Sequence, residues 1–400
     1  MKKTLLFTLE YPPFHGGIAN YYENLVKYWP SFAKASEGKP SFAKASSDAK
    51  ALEDKSEGKP SNELSEGKLG EPLVVLNNNE NQLINNKLPI LKWLPAIIAL
   101  WQTVKKNKID YVLVGHILPL GTTAWLISRL LKIKYAVILH GMDLGMATGV
   151  PRKKWLTKKI LNQADKIICG NSYTVELVKN LIGEAAKIFV VNPGVDTTIT
   201  HNAQRVTELK KKYNLDNKIV VLTVGRLVKR KGVDRVLESL PAVLKQIPNL
   251  AYVIVGNGPE LDAIKLQITN YKLQKEVLII SDASDDERND WYDLCDLFIM
   301  VARSEGGDFE GFGIVYLEAG LHGKPVIAGD SGGVRDAVED NLSGLLVDPT
   351  DAAAISRAIV GLAQDETLRR QLGEQGRERV LARFNWEKQV EKIYKILCNG

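Results

Sequence analysis

The chain is poor in cysteine, nearly balanced in charge and without a long apolar run. Its three cysteines, Cys169, Cys295 and Cys398, stand far apart in 400 residues. Neither a disulfide framework nor a CxxC metal pair can be built from them, which points to a reducing cytoplasm. The 53 basic residues exceed the 47 acidic ones by only six. That excess is too small to argue for nucleic acid, though it suits an anionic small molecule or a mildly attractive anionic surface. Between Asp110 and Arg129 lie 18 residues without a formal charge, the minimum for a spanning helix. Gly115, His116, Pro119, Gly121 and Ser128 interrupt them, so a strand at 111–114, a polar loop and a helix start are expected instead. The N-terminal MKKTLLFTLEYPP puts Glu10 and two prolines where a signal peptide would be cleaved, and it reads as a buried first strand.

Several signatures of chemistry are missing as well. A dinucleotide site needs GxGxxG after a strand, but residues 256–261 supply Gly256, Gly258 and then Leu261, so no nicotinamide is expected. GDSGG at 329–333 matches a hydrolase elbow. That reaction needs a histidine after the serine, and His322 is the last in the chain, so hydrolysis by a serine triad is excluded. No HExxH or DxD stands where it could hold a metal. The acidic run 282–290 reads as a solvated helix start, where carboxylates complement the helix dipole.

Residues 31–70 stand apart. SFAKASEGKP, SFAKASSDAK, ALEDKSEGKP and SNELSEGKLG follow one another with a period of ten, and EGKP recurs at 37–40 and 57–60. Each unit offers at most one large apolar residue, too few to offset the entropy of ordering it, so a flexible surface insertion is expected.

Elsewhere short β-branched runs alternate with amphipathic helices. One series of strands is expected at 4–9, 73–76, 111–114, 135–139, 166–169 and 188–191. A second follows at 219–224, 252–255, 277–280, 297–301, 325–328 and 344–347. Nearly continuous apolar strands separated by helices imply right-handed crossovers and parallel sheets. The fold class is therefore α/β, with two Rossmann-like doubly wound domains facing across a cleft. The expected division is 1–195, 196–382 and a C-terminal helix, 383–400, packing back on the first domain.

The residues with the most chemistry lie in the second half. GRLVKRKG (225–232) follows a strand at its carboxyl end, where open α/β sheets bind ligands. Arg226 and Lys231 there suit a diphosphate, although a basic loop of this kind is also found simply solvated. In EGFGIVYLEAGLHGKPV (310–326), Gly311 and Gly313 let backbone approach a ligand, and the amides of the following helix point at it. Glu318, one turn into that helix, needs a partner that ribose hydroxyls could supply. Glu310 stands before the helix, within reach of a sugar. The loop Ser331, Gly332, Gly333, Val334 reads as a second anion nest.

Glu310 and Glu318, with seven residues between them, reproduce the EX7E pattern of retaining glycosyltransferases. The surrounding EGFGIVYLEAGLHGKPVIAGDSGGV closely resembles glycosyltransferase family 4, of the GT-B fold. YPPFHGGI (11–18), HGMD (140–143), NPGVD (192–196), VGNGPE (255–260) and FNWE (384–387) resemble it too, across nearly the whole chain except 31–70. GDSGGV and Arg303 look like the phosphatidylinositol mannosyltransferase branch.

The resemblance implies a retaining transferase without metal or bound cofactor, using a GDP- or UDP-linked sugar as co-substrate and a glycan or lipid as acceptor. Arg226 and Lys231 would neutralise the departing diphosphate. Glu318 would hold the ribose, and Glu310 with the backbone at Phe312, Gly313 and Ile314 would orient the donor sugar. Gly16 and Gly17 would close on the diphosphate, and His140 would sit near the reacting carbon, with Asp143, Arg303 and Gly332 as further candidates. A nucleotide-sugar epimerase of the same fold and a catalytically silent binder are the alternatives. A basic stretch around Trp155, from Arg152 to Lys159, would suit an anionic membrane surface or serve as a solvated helix face.

Overall fold

The computed structural model describes residues 3–14, 16–29, 73–79, 83–84, 93–199 and 201–398; the repetitive segment 31–70 lies outside them. The first strand series forms β1 (Thr4–Phe7), β2 (Val74–Leu76), β3 (Tyr111–Val114), β4 (Lys134–Leu139), β5 (Lys166–Cys169) and β6 (Ile188–Val190). Helix α1 (Gly17–Lys27) follows β1, α2 (Leu94–Asn107) follows β2 and α3 (Leu120–Leu131) follows β3. Helices α4 (Met142–Thr148) and α5 (Pro151–Gln163) follow β4, and α6 (Ser172–Ile182) follows β5. The first strand ends two residues earlier than its apolar run suggests. Thr8 turns its hydroxyl onto the Glu10 carbonyl, 3.1 Å away, and the chain leaves the sheet.

The second series forms β7 (Ile219–Val224), β8 (Leu250–Val255), β9 (Val277–Ile280), β10 (Leu297–Met300), β11 (Val326–Gly329) and β12 (Gly344–Val347). Its helices are α7 (Ala203–Lys212), α8 (Val233–Leu244), α9 (Leu261–Asn270), α10 (Asp285–Leu294), α11 (Ile314–Leu321) and the short α12 (Val334–Ala337). Three more complete the chain: α13 (Ala352–Gln364), α14 (Glu366–Arg383) and α15 (Trp386–Cys398). The acidic run does open α10, where Ser284 caps the Glu287 amide and Asp285, Asp286 and Glu287 fill the first turn.

Every ladder between named strands is parallel, in the orders β2-β1-β3-β4-β5-β6 and β12-β11-β10-β7-β8-β9. Parallel strands with helices on both faces are buried on both, which explains their unbroken apolar sequences. In the first sheet, α2 to α6 cover one face; Tyr21, Tyr22 and Leu25 of α1 and Trp386, Val390, Ile393 and Leu397 of α15 cover the other. In the second, α8, α9 and α13 lie opposite α10, α11 and α14. Strand order reverses between β1 and β3, and again between β7 and β10. Such switch points leave a crevice at the carboxyl ends of the strands, where ligands of open α/β sheets bind. Among the described residues no helix is long and apolar enough to cross a membrane.

Candidate active site

The second switch point brings together two loops that are far apart in sequence. The loop after β7 tightens into a short 3-10 turn at Lys229–Lys231, and the loop after β10 runs on to Glu310. Lys231 Nζ lies 2.6 Å from Glu310 Oε2, and Arg230 Nη1 bonds the same oxygen. Arg230 Nε also sits 3.0 Å from Asp308. Burial pushes the Glu310 carboxyl up, but Lys231 and Arg230 outweigh it and hold the group below its ordinary range. Glu310 is therefore an ionised, buried carboxylate gripped by two cations. Arg226, on the same loop, is exposed, and its side chain has no ion-pair partner among the described residues.

Arg303 is not available in the same way. Its guanidinium forks onto both oxygens of Asp234 at 2.8 and 2.9 Å, and its Nε donates to Glu305 at 2.9 Å. The Arg303 amide donates to the Arg230 carbonyl at 2.8 Å. The residue thus braces the two loops against each other in this structure.

Glu310 leads into α11 through Gly311, Phe312 and Gly313. Gly313 has φ +83, and a Cβ there would meet the Tyr316 ring at 2.4 Å, so only glycine fits. The Phe312 ring packs on Phe384 with centroids 5.8 Å apart, and at the helix start Gly313 is buried and Ile314 half-buried. Glu318, one turn on, accepts from the Tyr292 hydroxyl at 2.7 Å, so its partner in this structure is a buried tyrosine. The expected nest at 331–334 is not formed as such. The Gly333 amide already donates to the Glu310 carbonyl at 2.9 Å, Gly332 packs against that same carbonyl, and α12 is only four residues long.

The first unit meets this loop closely. A Cβ on Gly311 would stand 2.7 Å from the His140 carbonyl, so the glycine allows the two units to touch there. His140 ends β4. Its Nε2 lies 2.8 Å from the Tyr22 hydroxyl, which donates its one proton to the Gly115 carbonyl at 2.6 Å. The imidazole must therefore be the donor at Nε2, which leaves Nδ1 with its lone pair. Burial, and then the neighbouring His116, push the His140 pKa down to about 3, so the ring is neutral. Asp143 turns one oxygen back to the amides of His140 and Gly141, at 3.1 and 2.9 Å, and its other oxygen is buried without a partner. Burial raises its pKa. Gly16 and Gly17 open α1, and a Cβ on either would meet nothing within 4 Å. Both are exposed.

A clamp joins the units beside the cleft. Asp336 accepts from the Ser172 amide at 2.8 Å, from the Ser172 hydroxyl, and from Asn192 Nδ2 at 2.8 Å. Tyr173 meets Phe309 edge-on, with centroids 4.9 Å apart. Sequence reasoning missed Arg230, Tyr22, Tyr292 and this clamp. Arg230 had a signal in the density of cations at 226–231, whereas Tyr22 and Asp336 act through contacts more than ninety residues distant. Among the described residues no cluster of three metal-ligating side chains lies at these loops.

Comparison with known proteins gives the arrangement its class. The model for glycosyl transferases group 1 matches residues 205–379, and that for glycosyltransferase family 4 matches residues 67–199. A GDP-mannose-dependent alpha-(1-6)-phosphatidylinositol monomannoside mannosyltransferase of Mycolicibacterium smegmatis is 30% identical over 297 residues, 74% of this chain and 78% of that protein. The chain belongs to glycosyltransferase family 4.

Within family 4 it stands on the branch of the phosphatidylinositol mannosyltransferase-like members. It is an enzyme that transfers glycosyl groups from nucleotide-sugar donors. A more distant relative, the N-acetyl-alpha-D-glucosaminyl L-malate synthase of Bacillus anthracis, is 25% identical over 77% of this chain and 81% of its own. Among solved structures, Anabaena HepE in complex with UDP superimposes with a TM-score of 0.76 at 19% identity, over all of both chains. Sucrose-phosphate synthase from Thermosynechococcus elongatus gives 0.73 at 21% identity, over 99% of this chain and 98% of that one. The fold is GT-B. The epimerase and silent-binder alternatives gain no support.

Proposed function

We propose that the chain is a retaining mannosyltransferase that uses GDP-mannose and delivers the sugar to a lipid-linked acceptor at an anionic membrane surface. The observation that carries this reading is the buried Glu310 carboxylate, gripped by Lys231 and Arg230 and set against His140 of the opposite unit. Lys231, Arg230 and the unpaired Arg226 would stabilise the charge that grows on the diphosphate as the glycosyl bond breaks. The amides of Ile314 and Val315 at the start of α11 would bind a phosphate, that of Tyr316 being turned to the Gly313 carbonyl. Glu318 would keep Tyr292 on one oxygen and offer the other to the ribose. Glu310 would exchange a cation for sugar hydroxyls, and the neutral His140 would lie beside the reacting carbon without adding positive charge. No metal and no bound cofactor enters this scheme. The GDP-mannose dependence of the Mycolicibacterium smegmatis relative supports the choice of donor over a UDP-sugar.

The membrane reading rests on the outer face of the first unit. Trp155 is 58% exposed, Met146 68% and Leu130 65%, and Trp101 of α2 and Val150, between α4 and α5, are exposed as well. Lysines lie over two of the indoles, Lys105 at 4.6 Å from the Trp101 centroid and Lys159 at 5.8 Å from that of Trp155. Such a mixture of indole, aliphatic and ammonium groups suits the interface of an anionic bilayer. The α4 end of this face adjoins the cleft, since Gly145 sits against the Gly307 carbonyl.

The test is nucleoside diphosphate release from GDP-mannose, UDP-glucose and UDP-N-acetylglucosamine, with the anomeric configuration of the released or transferred sugar read by NMR. Release of GDP with α-configured product is expected. Preferential turnover of a UDP-sugar overturns the donor assignment, and inversion overturns the mechanism.

A further inference from the structure

Three side chains from three elements converge outside the machinery described above. His201 leads into α7, Asp293 lies in the last turn of α10, and His322 follows α11. Nδ1 of His201 is 2.8 Å and Nδ1 of His322 2.6 Å from the same oxygen, Oδ1 of Asp293. All three ligand atoms fall within 4.8 Å of one another. The other oxygen of Asp293 is buried without a hydrogen-bond partner. Tyr292 stacks on the His322 ring at 5.4 Å, and His201 meets that ring edge-on at 5.7 Å. The nearby ammonium of Lys324 is turned to the Asp293 backbone carbonyl, 2.9 Å away.

We propose that His201, Asp293 and His322 form a divalent metal site of the zinc type. Two imidazoles and a carboxylate are a donor set that zinc favours. Tetrahedral zinc, with nitrogen and oxygen at about 2.0–2.2 Å, sets its ligand atoms roughly 3.3 Å apart. The nitrogens therefore need to withdraw from Oδ1 by only about half an ångström. The hydrogen-bonded cluster is what such ligands adopt when protons stand in for the ion. Metal binding displaces the proton from each Nδ1, so that its lone pair can be donated to the ion. The unpartnered Oδ2 gains a nearby cation in exchange. His201 is more than half exposed at its side chain, which gives the ion a route in and leaves a coordination position for water.

The consequence is mechanical. His201 lies at the start of the second unit, just after the segment that links the sheets, whereas Asp293 and His322 belong to packed helices. An ion here pins that segment to the body of the unit. It also sits one ring from the donor site, because the Tyr292 that stacks on His322 donates to Glu318. The ion is structural and takes no part in transfer.

The whole chain, stripped of metal with a chelator, is titrated with Zn²⁺ by calorimetry and with Co²⁺ by visible absorption. One equivalent of Zn²⁺ is expected to bind, with ligand-field bands for Co²⁺ at low coordination number and a higher unfolding temperature. His201→Ala, at an exposed position where folding is not at risk, is expected to weaken Zn²⁺ binding at least tenfold and to abolish the Co²⁺ bands. His322→Gln is expected to do the same. Failure of the wild type to take up one equivalent, or unchanged affinity in His201→Ala, overturns the site.

Discussion

The two units have the same sheet plan and opposite chemistry at its switch point. In the first, the loops after β1 and β3 bring together Thr8, Glu10 and His116, and the neutral His140 lies beside them, held by a tyrosine. In the second, the loops after β7 and β10 gather Lys231, Arg230, Asp308 and Glu310 into one ionic knot. The outer surfaces differ too. Of the large apolar residues exposed among the described residues, Trp101, Leu130, Met146 and Trp155 lie on the first unit, and only Leu266, Tyr271 and Leu381 on the second. An α/β switch point fixes where a ligand goes, and the loops decide which ligand that is. Here the second unit's loops concentrate cations around a buried carboxylate, and the first unit's loops present a neutral imidazole.

The sharpest way to break that contrast is to remove charge from the second unit. Lys231→Ala leaves Arg230 on Glu310, so the carboxylate stays paired and the fold should survive. Loss of one fixed cation from a developing diphosphate is expected to lower transfer about a hundred- to a thousandfold. Arg226→Ala, which disturbs no ion pair, should cost less. A loss below tenfold in Lys231→Ala, with thermal stability reduced instead, would make the knot a structural device.

The readability of the two units from sequence differs for the same reason. The second unit's site is assembled from two compact stretches, 225–234 and 310–318, in which charge, glycine and helix start follow one another. Glu310, Glu318, Lys231 and Gly313 are therefore legible as candidates in the sequence itself. The Arg303 contact with Asp234 could not be read in the same way, because the partner lies 69 residues away. In the first unit the decisive contact joins Tyr22 to His140 across 118 residues, and Tyr22 reads as an ordinary core position of an amphipathic helix. The strands themselves were legible because apolar runs of four to six residues need no distant information. Their ends were less so, since Thr8 leaves the sheet through a bond of its own side chain.

A second test acts on the outer surfaces. Replacing Lys153, Lys154 and Lys158 of α5 with glutamine removes three charges next to Trp155. At about 1 kcal/mol for each basic residue near an anionic bilayer, binding to phosphatidylserine-containing vesicles should fall roughly a hundredfold. Lys210, Lys211 and Lys212, at the end of α7, supply the matching control, because no large apolar residue is exposed on that helix among the described residues. Their replacement should leave sedimentation with vesicles nearly unchanged. Equal losses from both triples would reduce the membrane contrast to net charge alone.

The smallest expected effect separates the two sites by acid. An unfolded histidine takes up its proton near pH 6.5, whereas buried His140 resists until about 3. Between those values the unfolded chain binds more protons than the folded one, so this residue makes stability fall as pH falls. Glu310 behaves otherwise. Its depressed pKa contributes stability above the ordinary carboxylate range, lost only as pH drops through the folded value. Between pH 6.5 and 5 the His140 contribution is therefore separated from that of Glu310. His140→Asn keeps an N–H for Tyr22 and removes the titration. It should flatten the pH dependence of the unfolding free energy there by up to about 1.4 kcal/mol per pH unit, an upper bound because the imidazole is only half-buried at its surface. Urea unfolding of wild type and variant at several pH values measures the difference. Parallel slopes would mean that His140 is already charged in the folded protein, and that the first unit's site is less unlike the second than its geometry indicates.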